Sequence, residues 1–207
     1  MKDLIRTLPL ALAVALAGPA IAQETPLDEE APNPMELNMG VDSPEEDGPG
    51  SVYTKSTHED WQLRCIRGPE GNDPCQLYQL LNDANGNPVA EINVFPITDD
   101  STDAAAGATV VTPLETLLTA QLGFKVDDGG VKRYPFAWCS QIGCFARLGF
   151  TDEDVNTMKL GAEASILIRP VAAPDQVVTL GVSLTGFTAA YEAAIEANAA
   201  LQSAPAE

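Results

Sequence analysis

The chain has 207 residues, 30 of them acidic and 11 basic, and a formal net charge of −19 at pH 7. This length predicts one domain with tails. The charge argues against nucleic acid and anionic lipid as partners, because both would repel the protein, whereas a cationic partner is compatible with it.

Residues 1–22 have the composition of a secretory signal peptide. Lys2 and Arg6 make the start positive, residues 8–17 are mostly apolar, and residues 20–22 read Ala-Ile-Ala, the small-x-small pattern of a cleavage site. We therefore expect cleavage after residue 22. The alternative is an uncleaved membrane anchor, but the apolar stretch is shorter than the roughly 20 residues that a span requires. No later segment predicts a membrane span.

Residues 23–56 are predicted to form an acidic, Pro-rich, disordered tail. The stretch 24–50 contains nine acidic residues, five prolines and no Lys or Arg. Such a stretch buries too little apolar surface to offset the entropy lost on ordering. Residues 33–39 are a weak exception that would allow docking as a short motif, although a solvated spacer is favoured.

Residues 57–207 are predicted to form one β-rich domain. Trp61, Leu63 and Cys65 recur at alternate positions, which is typical of a strand with one buried face. Turn-rich stretches at 68–74, 82–88 and 127–130 separate further apolar segments. We predict strands over residues 61–66, 75–81, 89–95, 109–112, 122–126, 131–139, 144–150, 163–169 and 176–184, with a loop over 98–107.

Two helices are predicted late in the chain. Thr151 is a suitable N-cap for residues 152–160, acidic residues follow it where the helix dipole favours them, and Gly161 can end the helix. Residues 185–202 carry apolar side chains at helical spacing. Many strands, one short helix, two strands and a terminal helix predict a mainly β fold: an antiparallel β-sandwich or partly open barrel with a short helix and a C-terminal helix.

Four cysteines are present, and an even number in an exported chain favours disulfides. Proximity in sequence favours the pairs Cys65–Cys75 and Cys139–Cys144 among the three possible pairings. A zinc site fits the spacings poorly, and a redox-active pair lacks its Cys-x-x-Cys motif.

No catalytic or metal-binding constellation is evident. His58 is the single histidine and is expected at the surface or in a linker, so a Ser-His-Asp or Cys-His mechanism would depend on it alone. The carboxylate groups at 99–100, 127–128 and 152–154 are expected in turns or at a helix start. Asp83 begins a segment similar to a calcium loop, but a hairpin turn explains it and the downstream Glu is missing. We therefore predict no catalytic residue, no cofactor and no metal.

Aromatic side chains lie beside two of the cysteines. Trp61 and Trp138 are expected in the core rather than on a ligand platform. Lys132, Arg133 and Arg147 would form a basic patch, although pairing of these cations with Asp127 and Asp128 is favoured.

Several motifs occur in one order along the chain: Trp61-x-x-x-Cys65 with Cys75, Pro113-Leu114-x-x-x-Leu118, Asp127, Pro135-Phe136-x-x-Cys139-x-x-x-Gly143-Cys144-Phe145-Ala146, and Ser183-Leu184-x-Gly186-Phe187-Thr188-x-Ala190. Together they resemble the invasion associated locus B family over residues 59–194. Two positions depart from the family pattern: Glu115 stands where the family often has Gly, and residues 120–122 replace a Gly-containing loop.

The resemblance implies an exported protein of a Gram-negative bacterium, periplasmic or associated with the outer membrane, without a catalytic activity or cofactor. Members in intracellular pathogens are linked to entry into host cells, but members also occur in free-living bacteria. We expect a non-enzymatic binding or interaction module whose partner is an envelope or surface protein, and the acidic charge is compatible with a cationic one. The alternatives are a periplasmic enzyme that uses carboxylates or an unrecognised metal, and a chaperone-like stress protein.

Overall fold

The computed structural model describes residues 48–98 and 102–202. The predicted signal peptide and residues 23–47 of the predicted tail, including 33–39, lie outside the described residues. The described chain forms strands β1 Val52–His58, β2 Trp61–Ile66, β3 Cys75–Asn82, β4 Pro88–Pro96, β5 Ala106–Thr112, β6 Leu122–Val126, β7 Lys132–Tyr134, β8 Phe136–Ser140, β9 Gly143–Phe150, β10 Glu163–Ile168 and β11 Val178–Ser183, and helices α1 Asp152–Leu160 and α2 Phe187–Gln202.

The strands form two sheets. The larger sheet has seven strands in the order β1-β2-β3-β4-β5-β9-β8, and the smaller has four in the order β11-β10-β6-β7. Neighbouring strands run antiparallel in both sheets. The predicted mainly β fold is therefore confirmed, and of the two architectures expected, the sandwich with a C-terminal helix describes it.

The core lies between the inner face of the large sheet, the small sheet and α2. Trp61 of β2 contacts Phe187 of α2 edge to face at 5.4 Å between ring centroids, and Phe124 of β6 meets Phe150 of β9 at 5.1 Å. All four side chains are buried, and each contributes about 2–3 kcal/mol through removal of apolar surface from water. Among the described residues, no helix has the length and apolar character needed to cross a membrane.

Helix α1 begins as the sequence predicts. The Thr151 hydroxyl accepts a hydrogen bond from the Asp154 backbone N–H, and the Asp154 side chain accepts one from the Thr151 N–H. This capping box satisfies two backbone donors at the helix start. Gly161 follows the last helical residue.

The first strand starts within the segment that was predicted to be a tail. Strand β1 covers Val52–His58 and pairs with β2 from Val52 opposite Ile66 to His58 opposite Trp61. The predicted tail boundary at residue 56 is therefore wrong, because residues 52–56 belong to the sheet. None of the seven residues of β1 is fully buried, so the strand lacks the hydrophobic alternation that reveals a half-buried strand.

The strand predicted over residues 131–139 is in fact two strands in different sheets. Strand β7 pairs with β6 in the small sheet, β8 pairs with β9 in the large sheet, and Pro135 separates them. Proline lacks a backbone N–H and has a fixed φ, which suits a point where pairing with one sheet stops. The loop predicted over residues 98–107 is too long at its end, because β5 already begins at Ala106.

Two disulfides link directly opposed residues of neighbouring strands. Cys65 of β2 is bonded to Cys75 of β3, and Cys139 of β8 to Cys144 of β9, with 4.0 Å between the Cα atoms in each pair. These are the pairs that proximity in sequence favours. The first disulfide is buried, whereas Cys139 of the second is exposed.

Candidate functional site

Asp127 belongs to one of the three groups of carboxylates in the sequence, and its side chain stabilises a turn. It has a positive φ of 45° after β6, and its oxygens accept hydrogen bonds from the backbone N–H groups of Ala162 and Glu163 at 3.0–3.3 Å. The side chain therefore ties the turn between β6 and β7 to the start of β10. Asp128 beside it is exposed, and Asp99 and Asp100 lie outside the described residues.

The segment similar to a calcium loop is a hairpin turn between β3 and β4. The Asp83 carboxylate accepts hydrogen bonds from the backbone N–H of Asn87 and of Asn85 and from the Asn87 side chain. The Asn87 N–H is the main reason that the pKa of Asp83 lies below its ordinary value. These donors occupy the oxygens that a cation would need, and no group of three or more metal-ligating side chains occurs in the described ranges.

Lys132 contacts a different carboxylate from the two that the sequence suggested. Its Nζ lies 2.5 and 2.7 Å from the two Asp154 carboxylate oxygens, not beside Asp127 or Asp128. Partial burial raises the pKa of Asp154, but hydrogen bonds from Lys132 and Thr151 outweigh it, so the pKa lies below its ordinary value. The predicted pairing of Lys132 with Asp127 and Asp128 is wrong. The ion pair instead fastens β7 to the start of α1.

His58 is the last residue of β1, and its ring pairs with no carboxylate in the described ranges 48–98 and 102–202. The Ser56 hydroxyl lies 2.9 Å from its Nε2.

The backbone of His58 explains the glycine in the Ser183-Leu184-x-Gly186-Phe187 motif. Gly186 has φ +83°, and a Cβ there would lie 2.2 Å from the His58 carbonyl oxygen. This segment is held by close packing.

A polar clamp joins the two sheets at the end of β11. The buried Gln79 side chain accepts a hydrogen bond from the Ser183 N–H at 2.8 Å and donates to the Ser183 and Asp60 carbonyls at 3.1 and 3.2 Å. The Trp61 indole N–H also donates to the Ser183 carbonyl, and the Ser183 hydroxyl donates to Asp60. Each polar group named in this clamp has a hydrogen-bond partner, as buried polar groups in folded proteins generally do. The clamp is therefore explained by the stability of the fold.

The feature best suited to function lies on the outer face of the large sheet. The side chains of five directly opposed residues cross the face from β3 to β8. We call them the outer-face row: Leu80, Glu91, Val111, Phe145 and Trp138. Four of the five are apolar, and across four strand spacings the row is about 19 Å long. The parallel row that starts at Tyr78 continues with the polar side chains of Asn93, Thr109 and Arg147.

Trp138 and Phe145 form the most prominent part of the row. Their rings stack with centroids 4.9 Å apart and planes 11° apart, and Trp138 is 48% exposed. Ile142, at the tip of the hairpin between β8 and β9, is 78% exposed. The expectation that both tryptophans lie in the core is thus correct for Trp61, which is 1% exposed, and wrong for Trp138.

A groove of about 350 Å³ lies along the part of the row formed by β3, β4 and β5. Leu80, Val111 and Ile142 are among the side chains that line it, and Glu91 is its charged group. At the β9 end, Arg147 is exposed and makes no ion pair with any residue in the described part of the chain. The sheet thus presents an apolar stripe with one anionic and one cationic side chain close to it, an arrangement that can bind a partner.

Sequence reasoning missed this surface because it is made by side chains from five strands. Each residue of the row lies on the opposite face from buried neighbours such as Leu81 and Val110. The one sign of this surface in the sequence is that apolar residues occupy strand positions that the alternation of buried and exposed side chains assigns to solvent. Only the strand register aligns those positions in one row.

Comparisons with known proteins agree with the fold. The family model "Invasion associated locus B (IalB) protein" matches residues 61–195. Two invasion protein B homologs from Brucella abortus, strain 2308 and biovar 1 strain 9-941, are each 25% identical over 146 residues, which are 70% of this chain and 81% of each relative.

Among solved structures, the crystal structure of invasion associated protein B from Bartonella henselae superposes with a TM-score of 0.58 at 21% sequence identity. The match covers 72% of this chain and 98% of that protein, and it supports the same fold. Since the family model covers most of the β-rich domain, the chain belongs to the invasion associated locus B family.

Proposed function

We propose that this chain is an exported, non-enzymatic envelope protein and that its outer-face row binds another protein of the envelope or cell surface. The observation that carries the proposal is the line of apolar side chains on the outer sheet face, where Leu80 and Trp138 are about half exposed and the neighbouring row is polar. Contiguous apolar surface of this kind marks interaction sites in proteins that otherwise keep such side chains inside.

The composition of the row supports binding. Trp is the residue most enriched among side chains that dominate interface energies, and an aromatic pair supplies a large contact area with few rotatable bonds. Trp138 and Phe145 are already stacked, so little side-chain entropy is lost when a partner covers them.

Export is the second part of the proposal. A signal peptide over residues 1–22 and two disulfides are the combination expected in an oxidising compartment. A periplasmic or outer-membrane-associated location follows from it. The names of the relatives, which describe them as invasion proteins rather than enzymes, are compatible with a binding role.

Photocrosslinking in the native envelope tests the binding role. The variant Trp138→p-benzoylphenylalanine carries the photoreactive group in the row, and Leu160→p-benzoylphenylalanine carries it on α1, where Leu160 is 89% exposed. We expect a discrete adduct with an envelope protein from position 138 and none from position 160. Identical adducts from both positions, or none from either, would contradict the proposal.

A chaperone-like role is the second candidate, since the same exposed apolar row would hold an unfolded client. It predicts that the protein suppresses light scattering by chemically denatured citrate synthase and that Trp138→Lys weakens the suppression. Full aggregation at a fivefold molar excess of the protein removes this candidate and leaves the first intact. The geometry gives no support to an enzyme that uses carboxylates. Asp127, Asp83 and Asp154 accept hydrogen bonds from backbone N–H groups or from a lysine.

A further inference from the structure

We propose that the open edge of β8 binds an extended segment of the partner as an additional strand, and that this segment carries an apolar side chain over Trp138 and a carboxylate for Arg147. The inference rests on the proposed function and specifies its mode and the chemistry of the partner.

The edge of β8 has free hydrogen-bonding groups. In the part of the chain that the structure describes, β8 is the last strand of the large sheet and pairs only with β9. Cys139 and Cys144 are opposed with 4.0 Å between their Cα atoms, the short spacing of a pair that does not exchange backbone hydrogen bonds. The N–H and C=O of Cys139 therefore point away from β9, towards the position of an added strand.

The other sheet edges carry features that disfavour strand addition. Lys55 lies at the irregularity of β1, β7 carries Lys132 and Arg133, and the Gln79 side chain is bonded to the last residue of β11. Lysines, bulges and covering side chains are the usual protection of edges. Strand β8 reads Phe-Ala-Trp-Cys-Ser, without a charge or an internal proline, and its irregularity falls at Ala137.

The charge around β8 is opposite in sign to that of the whole protein. Residues 129–151 contain no Asp or Glu and three cations, Lys132, Arg133 and Arg147. Lys132 is neutralised by Asp154, but Arg147 is exposed, and among the residues that the structure describes Arg133 donates only to the Ala120 carbonyl. Arg147 lies on β9, the strand next to β8, and its guanidinium favours a segment with carboxylates and opposes a cationic one.

The geometry fits an extended segment. Side chains alternate between the two faces of a strand, so every second residue of an added strand lies on the outer face beside Trp138. Backbone hydrogen bonds along β8 supply affinity, while the aromatic ring and Arg147 select the side chains, as in other recognition by strand addition. An apolar residue followed two positions later by Asp or Glu meets both requirements.

Selection from random peptides tests the inference on the complete, oxidised mature protein. A display library of twelve-residue peptides is panned on the wild type, and enriched peptides are measured by fluorescence anisotropy. We expect peptides that pair apolar residues with Asp or Glu two positions apart, and affinity at least about tenfold weaker for Trp138→Lys and for Arg147→Glu. Leu160→Lys introduces the same charge as Trp138→Lys at an exposed position of α1 that is remote from β8 in the chain; it is the matched control and should bind as the wild type does.

Hydrogen exchange of single amides identifies the mode of binding. An added strand slows exchange of the Cys139 amide, whereas a peptide lying on the sheet face leaves it unchanged. Circular dichroism and thermal unfolding establish that the variants are folded, and Ile142→Lys at the exposed hairpin tip provides a second substitution if Trp138→Lys unfolds.

Three results would overturn the inference: enrichment of Lys-rich peptides or of none, an unprotected Cys139 amide in the complex, or a β8-mediated dimer in sedimentation that excludes peptides. The last would identify a second copy of the chain as the occupant. A partner crosslinked from position 138 together with an unprotected Cys139 amide would leave the proposed function intact and remove only strand addition.

Discussion

Gln79 shows how one side chain can decide whether the two sheets stay in register. It is buried in β3 of the large sheet, yet three of its hydrogen bonds reach Ser183 and Asp60 at the end of the small sheet and the turn before β2. A buried donor or acceptor that loses its partner costs about 1–3 kcal/mol. The clamp is therefore more sensitive to substitution than the exposed polar residues of the outer face.

We expect Gln79→Leu to lower the free energy of unfolding by about 2–3 kcal/mol, because the Ser183 N–H and the Asp60 carbonyl lose a buried partner. Urea unfolding at neutral pH measures it. The matched control is Gln76→Leu, three positions earlier in β3 on the outer face, where the amide donates to Asn93; it should cost under about 1 kcal/mol. If both variants lost the same free energy of unfolding, the clamp would contribute no more to stability than the Gln76 hydrogen bond on the outer face.

The two tryptophans show what a sequence reveals about single residues. Both lie near cysteines, Trp61 four residues before Cys65 and Trp138 directly before Cys139, and both fit the composition of a buried strand. Trp61 faces α2, whereas Trp138 stacks on Phe145 in solvent. The difference depends on which side of the sheet receives α2 and the small sheet, and that is a long-range contact absent from any local pattern.

At the scale of elements, strands with a buried face and capped helices could be predicted, whereas the edge strand β1 and the division between the edge strands β7 and β8 could not. The alternation in β2 and the Thr151 cap of α1 are local signals of burial and of satisfied donors. Strand β1 has no such alternation because both its faces are partly solvated. The division at Pro135 needed knowledge of which strand pairs on each side, and the candidate site depends on that division because it makes β8 an edge.

The start of α1 gives a prediction with a defined pH dependence. The pKa of Asp154 is lowered in the fold by Lys132 and Thr151, against the effect of burial. A lowered pKa means that the charged side chain stabilises the fold above the unfolded pKa of about 3.9, and that this contribution is lost as the pH falls through the lower, folded value.

We therefore expect Asp154→Asn to be less stable than the wild type by about 1 kcal/mol at pH 7, and the difference to vanish near pH 2. Urea unfolding of both proteins at the two pH values measures it. Asp152→Asn changes an acidic residue in the same helix turn that is exposed and has no ion pair with a described residue, so it should show a smaller difference at pH 7. A difference that persisted in acid would assign the effect to packing instead of charge.

At the scale of the whole molecule, the two disulfides connect the fold to its location. Both cross-link neighbouring strands of the large sheet, one near each of its edges. In the chain-entropy account, loops closed by separations of 10 and 5 residues contribute roughly 2–3 kcal/mol each. Together they amount to a large part of the roughly 5–15 kcal/mol by which a domain is stable, so a reducing compartment would leave this fold marginal.

Export therefore predicts the chemical state of the protein isolated from cells. Material prepared from the periplasm without reductant should begin at Gln23 and take up no thiol-alkylating reagent, whereas the same material reduced in denaturant should take up four equivalents, one for each cysteine. Intact-mass spectrometry measures both. Because each disulfide removes entropy mainly from the unfolded chain, the reduced protein should also unfold at a much lower urea concentration than the oxidised one. Four reactive thiols in freshly isolated, unreduced protein, or a leader still attached to protein found in the cytoplasm, would contradict export and with it the proposed envelope role.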